Sequence, residues 1–139
     1  MHVKKVDHIA MLVEDMESLL HVFTEVFNLK VSKRMEFPQG KIKVAFLDLG
    51  ELQLEVIQPT GPDTPFARHM ETKGQGLHHL ALEVDDIEVA LQTAREAGLK
   101  FEDEVPRPGA GGQIAYLNPE TTSGIYLQFV QVKKEVSND

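Results

Sequence analysis

The sequence predicts an α+β fold in which two tandem βαβββ modules form one curved mixed sheet. Three observations predict it. The chain repeats itself about half a length later, its strands alternate in polarity, and each repeat carries a capped amphipathic helix at the same place. The repeat aligns Asp7-His8-Ile9-Ala10-Met11-Leu12-Val13-Glu14-Asp15-Met16-Glu17 with His78-His79-Leu80-Ala81-Leu82-Glu83-Val84-Asp85-Asp86-Ile87-Glu88. His8/His79, Ala10/Ala81, Val13/Val84, Asp15/Asp86 and Glu17/Glu88 are identical. Two further stretches keep the register: Val44-Ala45-Phe46-Leu47-Asp48 with Ile114-Ala115-Tyr116-Leu117-Asn118, and Leu54-Glu55-Val56-Ile57-Gln58 with Leu127-Gln128-Phe129-Val130-Gln131. The whole chain, 1–139, is thus expected to be one domain, with module one over about 4–59, a linker over about 60–75 and module two over about 76–132.

Each module opens with an apolar alternating strand, near Val6 to Val13 and near Leu77 to Val84. Asp15 and Asp86 then stand where helix N-caps belong, so Glu14-Asp15 and Asp85-Asp86 read as helix starts rather than metal-binding carboxylate pairs. Met16, Leu19, Leu20, Phe23 and Phe27 follow at helical spacing, as do Ile87, Ala90, Leu91 and Ala94, and Gly98 is expected just past the end of the second helix. Further strands are expected over 30–36, 41–49 and 51–58, then over 100–104, 113–118 and 124–131. Phe66-Ala67-Arg68-His69-Met70 reads as a short helix in the linker, and the tail from Lys133 to Asp139 as disordered.

Strand parity singles out a polar set, because successive side chains of a strand point to opposite faces. If Ile9, Met11 and Val13 face the helix, His8 points the other way beside Ala10; if Leu80, Leu82 and Val84 do, so does His79 beside Ala81. Leu52, Leu54 and Val56 likewise leave Glu55 on the opposite face, and Ile125, Leu127 and Phe129 leave Tyr126 and Gln128 there. One such residue alone is an ordinary polar strand residue. His8, Glu55, His79 and Gln128, at repeat-equivalent places, instead point to one divalent metal ion in a cleft, and cobalt, zinc, manganese, nickel and iron all suit these ligand types. His78 has helix-side parity and is the weaker ligand; His2 is near a terminus expected to fray, and His21 and His69 are expected at the surface.

Composition narrows the function. A net charge of −8 argues against nucleic acid and anionic membranes as partners, and the lack of cysteine excludes disulfides, thiolate zinc sites and cysteine nucleophiles. No stretch approaches a membrane span and the N-terminus lacks a signal-peptide core, so a cytoplasmic protein is expected. Gly109-Ala110-Gly111-Gly112 lacks the Lys-Ser/Thr of a phosphate-binding loop and does not lead into a helix; it reads as a loop bordering the cleft.

The chain resembles the vicinal-oxygen-chelate superfamily (glyoxalase/bleomycin resistance/dioxygenase), and within it the methylmalonyl-CoA epimerase family. The resembling segments are Val6-Asp7-His8-Ile9-Ala10, Leu54-Glu55-Val56-Ile57-Gln58-Pro59, Pro62-Asp63-Thr64-Pro65-Phe66-Ala67, Gly76-Leu77-His78-His79-Leu80-Ala81 and Pro106-Arg107-Pro108-Gly109-Ala110-Gly111-Gly112. The resemblance implies a glyoxalase-like fold, a homodimer, an acyl-CoA substrate and the metal ligands His8, Glu55, His79 and Gln128. It also implies an epimerase or isomerase acting through an enolate next to a thioester. The family usually has a glutamate where Gln128 stands, in a Gly-x-x-x-Glu setting matched by Gly124-Ile125-Tyr126-Leu127-Gln128. That glutamate doubles as a base in the family, which an amide cannot do, so Glu55 is left as the catalytic carboxylate. A metal-bound water or Lys43 is the candidate for the other face, Gln128 is kept with Glu55 in the catalytic set, and Lys43 and Arg107 are the candidates for substrate contact. The alternatives are a glyoxalase I-like lyase, a ring-cleaving oxygenase using His8, His79 and Glu55, and a non-catalytic resistance-type binding protein of the same fold.

Overall fold

The computed structural model describes residues 1–133; the tail from Lys134 on lies outside the described residues. The chain divides into two compact units, one of His8–His78 and one of Met1–Asp7 with the described residues from His79 onward. The divisions fall immediately before the two repeat histidines, inside strands β1 (Val3–Leu12) and β5 (Gly76–Val84).

In the unit His8–His78 the strands lie in the order β2-β3-β4-β1, with β2 at Val31–Phe37, β3 at Ile42–Leu49 and β4 at Leu52–Pro59. β1 and β4 are parallel and the other pairs antiparallel. Helix α1 (Met16–His21) begins where Asp15 accepts from the Ser18 N–H at 3.2 Å and from its hydroxyl at 2.7 Å. A second restraint was not read from the sequence: the Met16 N–H donates to the Gln58 side chain at 2.8 Å, tying the helix start to β4. Met16 and Leu20 close over Ala45, Leu47 and Val56, with Met11, Val13 and Leu54 beside them, as parity requires for β1 and β4. The helix then loosens into a π-helical turn, Val22–Val26. Phe27, expected on the buried stripe, is instead 59% exposed, because this widened turn rotates it off the core face. Helix α2 (Pro65–Lys73) starts as the linker sequence requires, with Thr64 capping the Ala67 N–H at 3.2 Å and Pro65 in the first turn.

The other unit repeats the pattern as β5-β8-β7-β6, with β6 at Arg107–Pro108, β7 at Gly112–Tyr116 and β8 at Leu127–Val132. β5 and β8 are parallel, as β1 and β4 are. Asp86 caps α3 (Ile87–Glu96) by accepting from the Glu88 and Val89 N–H groups, and the Ile87 N–H donates to Gln131 at 3.0 Å. Gln131 thus does for α3 what Gln58 does for α1. Ile87, Ala90, Leu91 and Ala94 bury against Val84, Ala115, Leu117 and Phe129. Past the helix Gly98 takes φ +91° and donates to the Arg95 carbonyl.

Three expectations are corrected in this unit. No strand forms over 100–104: only Phe101 bridges to Leu117, and the partner of β7 is the two-residue β6. Two backbone bonds flank the bridge, Glu102 N–H to the Tyr116 carbonyl at 2.9 Å and Asn118 N–H to the Lys100 carbonyl at 2.8 Å. Beyond them side chains take over, Asp103 accepting from the Tyr116 N–H at 2.8 Å and Arg95 donating to the Glu104 carbonyl at 2.6 Å. Ile125 is not on the helix face but 57% exposed, since β8 begins only at Leu127 after the turn through Gly124. His2 does not fray: its carbonyl accepts from the Asp85 N–H and its N–H donates to the Asp85 carboxylate. No helix among the described residues is long and apolar enough to cross a membrane.

The glycine loop joins β6 to β7 as a tight turn, with Gly109 N–H donating to the Gly112 carbonyl at 2.8 Å. Gly112 has φ +152°, and a Cβ there would stand 2.2 Å from the Gln131 carbonyl oxygen. Gly112→Ala is therefore expected to lower unfolding free energy by roughly 2 kcal/mol or more in urea titrations, through strain and backbone collision together.

Candidate metal centre

Within the unit His8–His78, β1 and β4 run parallel with Ala10 opposite Glu55, and β3 brings Phe46 opposite Glu55 from the other side. His8 and Glu55 are both buried, and Nε2 of the imidazole lies 3.5 Å from Oε1 of the carboxylate. Phe46 meets the His8 ring edge-on at 6.2 Å. The pair sets an imidazole nitrogen and a carboxylate oxygen side by side in a buried place, two donors of the kind a divalent cation takes.

In the other unit the register recurs residue for residue. Ala81 lies opposite Gln128 on β8, and Tyr116 opposite Gln128 on β7. His79 is buried, its ring edge-on to Tyr116 at 5.2 Å with the phenol oxygen 3.5 Å from Nδ1. Gln128 is 3% exposed, and its Oε1 has no hydrogen-bond partner among the described residues. Leaving a buried amide carbonyl unsatisfied costs about 1–3 kcal/mol, and coordination of a cation by that oxygen would remove the cost. Each repeat thus offers one imidazole and one oxygen donor of the kinds a divalent ion takes, a carboxylate in one and an amide carbonyl in the other.

The family model for the Glyoxalase/Bleomycin resistance protein/Dioxygenase superfamily matches residues 7–116. The chain belongs to this superfamily. Among superfamily relatives, the uncharacterized protein YqjC of Bacillus subtilis is 30% identical over 97% of both chains. The mitochondrial methylmalonyl-CoA epimerase of Bos taurus is 29% identical over 91% of this chain and 74% of its own. The crystal structure of hypothetical protein BH1468 from Bacillus halodurans superposes with a TM-score of 0.91 at 32% identity, covering 96% of this chain and 98% of that one. The glyoxalase-like α+β fold is thereby shown.

The remaining candidates fall elsewhere. Lys43 does not share the ligand face: β3 presents Ala45 and Leu47 to α1, and Lys43 has their parity, near enough to Glu17 to help hold that carboxyl below its usual range, after the larger effect of Arg34. It is corrected as a partner for Glu55. Arg107 is exposed, its Nε donating to Asp103 at 3.1 Å and its guanidinium 5.6 Å from the centre of the Tyr116 ring. The open groove lined by Met11, Leu19 and Leu77 lies on the helix face and contains none of the candidate ligands.

His69 is not a plain surface residue. Its ring packs at 4.6 Å on His78, which also meets Phe66 at 4.9 Å, so α2 covers one of the two adjacent histidines. Burial, then the nearby His69 and Lys73, push His78 down to about 4. The sign follows directly: above about pH 6.5 His78 is neutral folded or unfolded, whereas between 6.5 and 4 only the unfolded chain takes the proton. Chelator-treated protein is expected to lose up to about 3 kcal/mol of stability as pH falls through that window. His78→Phe should flatten this part of the profile in urea melts at pH 7 and pH 4.5.

Proposed function

We propose that this protein is a divalent-metal-dependent isomerase that moves the α-proton of an acyl-CoA thioester, methylmalonyl-CoA or a close relative of it. The observation that carries the reading is the buried, partnerless Gln128 Oε1 at the position repeat-equivalent to Glu55. His8, Glu55 and His79, all buried, are donors of the kind a divalent ion takes, and the proposal makes Gln128 the fourth ligand. Methylmalonyl-CoA epimerases among the relatives support the substrate class.

A bound ion would supply Lewis acidity at the thioester carbonyl, lowering the pKa of the adjacent C–H. Glu55 is the residue that accepts the α-proton, since its second carboxylate oxygen can act while the first stays a ligand. Gln128 offers an oxygen but takes up no proton, so the chain brings one carboxylate, not two, to the reaction, and the proton returned to the opposite face of the α-carbon comes from solvent. The exposed Arg107 is the cation for the anionic end of the substrate. The proposal includes a cytoplasmic homodimer, checked by sedimentation.

The test is elemental analysis followed by deuterium exchange at the α-carbon of methylmalonyl-CoA. Metal-loaded protein should catalyse exchange that chelation abolishes. Exchange no faster than in the chelated control removes the reading.

A further inference from the structure

We propose that Tyr116 is the positioning residue for His79, its hydroxyl accepting from Nδ1–H and thereby presenting Nε2 as the metal ligand. The inference rests on the reading of His79 as a ligand and goes beyond it by assigning the tautomer and the group that sets it.

Three observations carry it. First, the phenol oxygen stands 3.5 Å from Nδ1, not Nε2, of His79. In the repeat-equivalent histidine, His8, it is Nε2 that faces a ligand oxygen, at 3.5 Å from Glu55. If both repeats use the same ring nitrogen, Nδ1 of His79 is the nitrogen turned away from the metal, and it is the one that faces the Tyr116 hydroxyl. Second, the aromatic support is itself duplicated. Phe46 and Tyr116 occupy equivalent positions, opposite Glu55 and Gln128 respectively, and each meets its histidine edge-on, at 85° and 89°. The two supports differ by one hydroxyl, and the half-site that has it is the half-site whose oxygen ligand is uncharged.

Third, the phenol is held from three sides. The Tyr116 N–H donates to Asp103, the same carboxylate takes a hydrogen bond from Arg107, and the Arg107 guanidinium lies over the Tyr116 ring. Tyr126 packs against the ring at 5.1 Å, itself donating its hydroxyl to Glu102. A side chain fixed in this way has little freedom left to lose, so its hydroxyl directs the imidazole rather than following it.

The substitution Tyr116→Phe keeps the ring and removes only the oxygen, making the second half-site like the first. Cobalt affinity is expected to fall at least about tenfold, and the visible spectrum of the cobalt-loaded protein to shift, while the metal-free protein still unfolds cooperatively in urea with its midpoint only modestly lowered by the lost hydrogen bond. His79→Ala is measured beside it. If His79→Ala weakens cobalt binding severely and Tyr116→Phe leaves affinity and spectrum unchanged, Tyr116 does not position the ligand and the inference is overturned. If His79→Ala binds cobalt as wild type does, the metal-centre reading falls and this inference with it.

Discussion

Glu55→Gln is expected to slow metal-dependent α-proton exchange by roughly 10²–10⁴, the usual contribution of one general base, with only a modest loss of metal affinity. The side chain is nearly isosteric and keeps an oxygen where Oε1 now faces His8 at 3.5 Å, so coordination geometry is preserved while the capacity to take up a proton is gone. Glu55→Ala removes both and should lose metal and activity together. Stability gives a separate readout. In metal-free protein Glu55 is buried and faces His8 at 3.5 Å, so the glutamine variant, which gives up that pairing, should be less stable than wild type in the absence of metal. Deuterium incorporation followed by NMR, with metal titrations alongside, separates the two effects. An exchange rate unchanged in Glu55→Gln would show that another group takes the proton.

Where the chain repeats itself, the amino-acid order was enough to place both the fold and the candidate ligands. β1, β4, β5 and β8 each carry an apolar residue on one parity that packs on a helix, and a helix-facing stripe determines where every other residue points. Lys43 lies outside that pattern. Val44, Ala45, Phe46 and Leu47 are all buried, so β3 has no polar parity to read, and only pairing of Phe46 with Glu55 reveals which face Lys43 takes. The loop over 100–104 was misjudged for a different reason. Its start does pair with residues 116–118 through the Phe101 bridge, but from Asp103 on side chains of Asp103 and Arg95 take the bonds that would have extended the pairing. His69 was misplaced because its partner, His78, is brought to it by the packing of α2, a contact with no local pattern. Tyr116 had a signal that went unused: it aligns with Phe46 in the repeat, next to a ligand strand in each copy.

The departure from the family at position 128 makes the opposite substitution the most informative experiment on this protein. Gln128→Glu is expected to have effects of opposite sign with and without metal. Without metal, the new carboxylate replaces an amide that is 3% exposed and whose oxygen already lacks a partner, so an uncompensated buried charge should cost at least about 3 kcal/mol of stability. With metal bound, the same charge sits on a cation. Affinity should therefore rise, offsetting part of the stability lost in the metal-free protein. The carboxylate also returns a proton acceptor to the second repeat, and turnover measured as inversion at the α-carbon should rise by roughly 10²–10⁴ if a missing base is what limits it. Thermal melts with and without metal, paired with chiral analysis of the recovered thioester, read both terms. Equal destabilisation in the two conditions would mean that Gln128 does not touch the ion. A tighter metal with no gain in inversion would mean that Gln128 is a ligand but that proton return on the second face is supplied by a group other than the residue at 128.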